Sequence, residues 1–328
     1  MRVLRVGLLL IGLLAAALVL AVLWLAVGVH LTGLLQRLAQ GAIVLAAALV
    51  VWGSFRGRLV VPFGAAVAGV AVLGVWFTFL PASNDRNWAP EYAKHLTARV
   101  DGDRVTLENV RNFRWQTIDT AEEAWETRVF DASTVTSVDV YTSVWSSPLI
   151  AHVMVSFGFA DGQHIAFSAE TRRQEGQVYS TFGGFVREFE LTLLAADERD
   201  VIWLRTDLRG ERVSLFPLTL TPEARRAMFL AFVGFADELD RQPQWYNTLL
   251  DNCTTVPLRI VRTLNDRIPL DWRVLASGRL PAFLFDQGVL PPGLDLAAIE
   301  AKAVLPVFGP YPQDGAAYSR AIRAAWAP

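Results

Sequence analysis

The chain opens on three apolar runs separated by short polar breaks. Positions 6–29, 38–55 and 59–80 carry almost no charge, and each reads as a membrane-spanning helix. The first is too long for the apolar core of a cleaved signal peptide, and two more follow closely. The second is the shortest, with Gln40 near its start. After Leu80 the pattern changes to alternation. An Asp-Gly turn near the start of 100–115 predicts a hairpin or meander, and 125–141 continues in strand-like pieces. Gly183-Gly184 marks a turn. Positions 188–196 and 201–204 read as strands joined by the charged turn Asp197-Glu198-Arg199-Asp200, and 213–218 reads as another. Thr221-Pro222-Glu223 starts a helix whose Phe229, Phe232, Val233 and Leu239 share one face, running to about Asp240. The Pro-rich tail from Pro269 is expected to pack against the domain. The mixture is α+β: a transmembrane region over 1–80, then one soluble domain over 81–328 with 269–328 as its packed tail.

The stretch 150–173 is the most explicit hairpin. Two alternating runs flank Ala160-Asp161-Gly162, which suits a three-residue loop closed by a left-handed glycine. That loop pairs Phe159 with Gln163. Val153 then faces Ala169, Val155 faces Phe167 and Phe157 faces Ile165, so one side is continuously apolar. On the other side Met154 faces Ser168 and His152 faces Glu170. A two-residue loop would shift the register and mix the faces. Directly opposed residues have Cβ atoms about 4.5–5.5 Å apart, within reach of a His–Glu hydrogen bond. His164 reads as a solvated strand end.

Asp251-Asn252-Cys253-Thr254-Thr255 carries the single cysteine. Residues 256–262 read as an amphipathic helix that Asp251, Asn252 or Thr254 could cap. Pro257 is tolerated only in a first turn, so the helix starts no earlier than about Cys253. A sulfur at a helix N-terminus is biased toward thiolate. A lone cysteine is otherwise a small buried hydrophobe. The His–Glu pair about a hundred residues upstream favours the nucleophile, base and orienter of a thiol acyl-transfer site.

Apolar residues make up 53% of the chain, with the excess at the front, and net charge is −2. All of the 30 basic residues except Lys94 and Lys302 are arginine. Arg2 and Arg5 precede the first run, and Arg56 and Arg58 sit between the second and third. The positive-inside rule makes those segments cytoplasmic and everything after Leu80 extracytoplasmic. Trp88 and Arg86 read as interfacial anchors. Arg111, Arg114 and Arg128 read as half-exposed strand residues, with phosphate binding as the alternative. No basic block suggests nucleic acid. No C-x-x-C, H-E-x-x-H, P-loop or G-x-G-x-x-G pattern occurs, so neither metal nor cofactor is expected.

Several motifs in order resemble the Lnb N-terminal periplasmic domain family of bacterial inner-membrane proteins. They are N-D-R-N-W (84–88), V-R-N-F-R-W (110–115), A-H-V-M-V-S-F-G-F (151–159), S-A-E-T-R-R (168–173), D-E-R-D-V-I-W-L-R-T (197–206), Y-N-T-L-L-D-N-C-T-T (246–255) and D-W-R (271–273). The resemblance covers 84 to about 288. The family is similar in pattern to permuted NlpC/P60-like, papain-like thiol enzymes, in which histidine precedes cysteine. This implies an antiparallel sheet packed against the cysteine-bearing helix, with Cys253 as nucleophile, His152 as base and Glu170 as the third polar residue. Asn252 and Tyr246 are expected to bind substrate. A lipoprotein N-acyltransferase belongs to this family. The resemblance therefore implies a periplasmic acyltransferase held in the inner membrane, acting on membrane lipid or lipoprotein through an acyl-thioester. The alternatives are a cysteine amidase or peptidase of the cell envelope, and a non-catalytic envelope protein with an inert thiol. An apolar cleft at Cys253 favours the first, an open polar groove the second, and a thiol out of reach of His152 the third.

Overall fold

The three apolar runs form helices α1 (Arg2–His30), α2 (Gly33–Phe55) and α3 (Val60–Thr78). In the computed structural model, which describes residues 2–327, each is long and apolar enough to cross a membrane. Even the shortest, α3 with 19 residues, rises about 28 Å, close to the roughly 30 Å of a hydrocarbon core. The chain divides into two compact units. The helical unit comprises Met1–Ser83, Val178–Glu190 and Trp245–Thr248, and the sheet unit comprises Asn84–Gln177, Leu191–Gln244 and Leu249–Pro328.

The sheet unit is built on β1 (Thr97–Asp101), β2 (Arg104–Arg111), β5 (Trp125–Asp131), β6 (Val135–Val144), β7 (Ala151–Phe159), β8 (His164–Arg172), β9 (Glu190–Ala196) and β10 (Arg212–Pro217). Their order is β1-β2-β9-β8-β7-β6-β10, with β5 also on β2. Two short strands, β3 (Arg114–Trp115) and β4 (Ala121–Glu122), pair separately. Helices follow: α4 (Pro222–Arg241), α5 (Thr255–Leu264), α6 (Trp272–Leu275), α7 (Leu280–Asp286), α8 (Leu296–Ala303) and α9 (Gly315–Ala321). This is the α+β arrangement that the alternation and the helix signals predict.

The β7–β8 hairpin has the predicted register: Val155 lies opposite Phe167 and Phe157 opposite Ile165, and Met154 opposite Ser168. The Phe159 N–H donates to the Gln163 carbonyl (3.0 Å), and Gly162 takes the left-handed conformation (φ 85°). The period of two sends Val153, Val155 and Phe157 to one face. There Phe157 and Phe167 meet Phe229 and Phe232 of α4 edge-on or tilted at 5.4–6.3 Å between ring centroids. Each such ring contributes about 1.5–3 kcal/mol by burial. Thr221 caps α4 by accepting from the Ala224 N–H (3.2 Å), as the Thr-Pro-Glu start predicts.

The opposite face carries a second core of Tyr141, Met154, Ala166, Leu194, Trp203 and Ile322. Here the structure corrects three expectations. Residues 201–204 are no strand: they lie in a wide helix, Arg199–Leu208, whose end is closed by an Arg209 N–H to Leu204 carbonyl bond. Asp200 fixes it. Fully buried, Asp200 accepts from Arg111 through both carboxylate oxygens (2.8 Å each), from the Phe113 N–H and from Trp115 Nε1. Those bonds hold the first turn against β2 and β3, and the apolar run Val201–Leu204 is then buried all round as a helix. Arg111 is thereby a buried structural partner rather than a half-exposed strand residue. Trp88 is likewise no membrane anchor. It is buried, donates to the Asn84 carbonyl (2.9 Å) and lies under the Arg172 guanidinium at 4.2 Å.

The tail packs on this second face. Trp203 Nε1 donates to the Gly309 carbonyl (3.0 Å), and Tyr318 and Ile322 join the core. Arg323 bonds Asp139 on β6 (2.7 Å) and Glu198 before the wide helix (2.6 Å). Glu198 also accepts from Tyr141 and Ser156, so every oxygen of this buried carboxylate has a donor.

Candidate active site

Asn252 builds the start of α5. Its side-chain carbonyl accepts from the N–H groups of Thr254 (2.8 Å) and Thr255 (2.9 Å), while its own N–H donates to the Thr255 hydroxyl (2.9 Å). This reciprocal cap contributes about 1 kcal/mol and fixes Cys253 immediately before the helix. Pro257 falls in the first turn, where its missing N–H costs nothing. Cys253 is half-buried. Its sulfur lies 4.0 Å from the Ala151 carbonyl and 3.8 Å from the Thr254 hydroxyl. It therefore meets β7 at the strand's first residues. Ser277 locks that end of β7: its hydroxyl accepts from the Ala151 N–H (2.8 Å) and donates to the Ala151 carbonyl (2.7 Å).

His152 is the second residue of β7 and shares a face with Met154. Its Nε2 lies 3.1 Å from Glu170 and 2.6 Å from the Ser168 hydroxyl, which itself donates to Glu170 (2.8 Å). The imidazole and the Cys253 thiol are near enough to shift each other's ionisation. The Arg205 guanidinium, on the wide helix, approaches the same Glu170 oxygen at 3.3 Å. The structure thus brings Cys253, His152 and Glu170 together. Asn252 stands beside them as a cap. Tyr246 belongs to the helical unit, where its N–H donates to the Phe189 carbonyl (3.0 Å).

Electrostatics follow from this geometry. Burial pushes the His152 pKa down, but Glu170 and the thiolate outweigh burial and Arg205 and carry it up to about 9. Burial raises the Glu170 carboxyl, and His152, Arg205 and Ser168 together hold it well below the usual range. Burial likewise raises the Cys253 thiol, and His152, the Val153 N–H and Thr254 bring it below its ordinary value. Each group therefore favours the charged form of the other, thiolate beside imidazolium. Because the folded His152 pKa lies above 6.5, its contribution to stability is complete below that pH and is lost as pH rises through about 9.

Glu170→Gln removes the charge that holds the imidazolium, while Arg205 remains beside it. The Cys253 thiol pKa is expected to rise, and each unit removes about tenfold of the thiolate at pH 6.5. Alkylation by iodoacetamide reports Cys253 alone, since the chain has one cysteine. An unchanged rate-against-pH curve in the variant would remove Glu170 from the orienting role.

Sequence reasoning missed Ser168 and Arg205. Ser168 left a weak signal, a hydroxyl facing Met154 two positions before Glu170 on the same strand face. Arg205 left none once 201–204 was read as a strand. Among the described residues no group of three or more His, Cys, Asp and Glu could hold a metal ion.

Below the cap, a cavity of about 320 Å³ lies within the sheet unit. Val153 and Val155 of β7, Met228 of α4, and Leu258 and Val261 of α5 line it with Phe283. Thr254, the residue after the cysteine, reaches its wall.

Residues 121–278 match the family model described as the Lnb N-terminal periplasmic domain. The matched stretch is shorter than the resemblance over 84–288, but it includes His152, Ser168, Glu170, Arg205 and Cys253. No curated protein and no solved structure matches the chain. The match runs from β4 to the serine that locks β7, so this part of the chain is similar to the Lnb N-terminal periplasmic domain.

Proposed function

We propose that the protein is a membrane-anchored thiol acyltransferase of permuted papain-like type, with Cys253 as nucleophile. The observation that carries this reading is the His152 imidazole of β7, 3.1 Å from Glu170 and raised in pKa by both Glu170 and the Cys253 thiol that precedes α5. The Cys253 thiolate attacks the carbonyl carbon of a lipid ester. The C–O bond breaks, the alcohol leaves with the proton from His152, and an acyl-thioester remains on sulfur. An incoming amine then attacks the thioester. His152 takes the amine proton, the C–S bond breaks, and an amide and the thiolate result. The Cys253 N–H, which the Asn252 cap does not engage, is the backbone donor to the oxyanion in both steps. A lipoprotein amino terminus is the acceptor suggested by the family.

The apolar cavity beside Thr254 favours an acyl donor over a peptide, because its walls offer few groups to pair a peptide backbone. A thiol whose pKa His152 lowers argues against an inert cysteine. The direct test is mass spectrometry of the protein incubated with a diacylated lipopeptide. An acyl adduct on Cys253 is expected, and a peptide-cleavage product without adduct would favour the amidase.

The arginines flanking the apolar runs support a cytoplasmic N-terminus and a periplasmic sheet unit, with the inner membrane as the anchor. A C-terminal alkaline phosphatase fusion is expected to be active. An inactive phosphatase alongside a working cytoplasmic reporter at the same position would reverse this orientation.

A further inference from the structure

Within the helical unit, the segment Val178–Glu190 is tied to the ends of two membrane helices. The Val186 carbonyl bonds His30 Nε2 at the end of α1 (2.6 Å). The Arg187 guanidinium donates to the carbonyls of Phe77 and Leu80 at the end of α3 (3.2 Å to Leu80) and lies over the Phe77 ring at 4.8 Å. A cation there satisfies carbonyls that a helix C-terminus leaves unpaired. Arg187 holds a left-handed backbone (φ 58°) to reach them, a conformation uncommon outside glycine. Trp245 Nε1 also donates to the Leu80 carbonyl (2.8 Å), and the His30 and Trp76 rings meet edge-on at 5.8 Å. The ends of α1 and α3 therefore lie at one level, and this segment is fastened to that level.

That level is set by length. The 19 residues of α3 rise about 28 Å, so Phe77–Leu80 lie at the edge of the hydrocarbon core. Side chains of the fastened segment sort into two groups. Val186 and Phe189 are fully buried, and they hold the segment down. Val178, Tyr179 and Phe182 are 79%, 48% and 63% exposed, although all three are apolar or aromatic. Tyr179 stacks on Phe189 at 6.4 Å with the rings nearly parallel, which directs it outward from a fixed base. Thr248 braces the loop by donating to the Thr181 carbonyl (2.8 Å). In water these three side chains would be a cost. At a membrane interface they are the residue types that partition into the boundary between headgroups and acyl chains.

We propose that Val178, Tyr179 and Phe182 are a bilayer-inserting element, seated in the leaflet where α1 and α3 end. The occupant of this surface is lipid, because the segment is continuous through hydrogen bonds with helices that end at that boundary. The element reaches the upper acyl region and does not span it.

The single cysteine makes the test direct. Phe182→Cys and Val178→Cys are each made in a Cys253→Ser background, labelled with an environment-sensitive nitrobenzoxadiazole dye, and reconstituted as the full chain in phosphatidylcholine–phosphatidylglycerol vesicles. Val67→Cys, on an exposed position of mid-α3, is the deep reference. Labels at 178 and 182 are expected to emit to the blue of the aqueous dye. They should lose about half their intensity or more to nitroxides near the headgroup, and less to nitroxides deep in the chain. The label at 67 should show the reverse order. Emission of the aqueous dye at 178 and 182, quenched by iodide and by neither nitroxide, would overturn the proposal. So would blue emission that neither nitroxide quenches, because protein rather than lipid would then cover the segment.

Discussion

Cys253→Ser is expected to lower acyl transfer by at least about 10³-fold while leaving the fold intact. The substitution keeps size and polarity, and the Asn252 cap that positions residue 253 uses no sulfur atom. What changes is the ionisation. The imidazolium of His152 stabilises a thiolate, but a serine hydroxyl is too weak an acid to be ionised by the same field. His152→Ala should cost a similar factor, because in the proposed mechanism it removes both the cation that holds the thiolate and the base that receives the amine proton. The double variant should be little worse than either single one, since the two groups act as one unit. A lipopeptide acylation assay read by mass spectrometry gives these factors, and circular dichroism checks the fold. Multiplicative losses would mean that the residues act separately. Full activity of Cys253→Ser at normal protein level would exclude thiol catalysis.

Arg323→Leu is expected to be the most damaging single change to stability outside the site. It strips the cation from Asp139 and Glu198, whose side chains are 2% and 0% exposed. Leaving buried carboxylates unpaired costs about 3–5 kcal/mol, whatever the intact pair contributes on balance. For a domain of this size that is a fall of roughly 10 °C in melting temperature. The pH dependence distinguishes this cause from lost packing. Burial alone raises the Glu198 pKa, and Arg323 reverses that and holds it well below the usual range. In the intact protein Glu198 therefore stabilises above the ordinary carboxylate pKa and loses that contribution as pH falls. Without Arg323 the folded Glu198 pKa lies above the unfolded one, so protonation favours the fold and the deficit shrinks toward pH 5. Arg323→Lys keeps the charge but not the forked donors, and should fall between. A melting temperature unchanged in Arg323→Leu would show that the two carboxylates find other partners.

Much of this site was legible because its parts are local and periodic. The alternation around Asp161-Gly162 fixes which residues of β7 and β8 share a face, so His152 and Glu170 could be paired before any coordinates. The helix start was legible from Pro257 and from the Asn and Thr residues around Cys253. Illegible were contacts that depend on a distant anchor. The four letters Val-Ile-Trp-Leu suit a buried strand as well as a buried helix, and only Asp200, held by Arg111 and Trp115 far earlier in the chain, decides for the helix. With that helix misread, Arg205 could not be placed against Glu170. The attachment of 178–190 to α1 and α3 was equally hidden. Nothing in a Tyr-Ser-Thr-Phe-Gly-Gly stretch tells which carbonyls Arg187 will seek.

The pairing of Arg323 with Asp139 also bears on the order in which the chain matures. The two residues are 184 apart in sequence, and at about 5–20 residues per second their meeting waits roughly 10 to 40 s after Asp139 is made. During that interval β6, β7 and β8 can pair as local hairpins, which form in microseconds. The face that receives the tail stays open, with Asp139 and Glu198 still hydrated. The hairpin carrying His152 and Glu170 is thus an early product, and the thiol, 101 positions after the histidine, joins it later. Such distant pairings slow folding, because loop closure is paid before any contact rewards it. A half-made chain would expose the sheet face that the tail later covers, and this is the stage most open to aggregation and proteolysis.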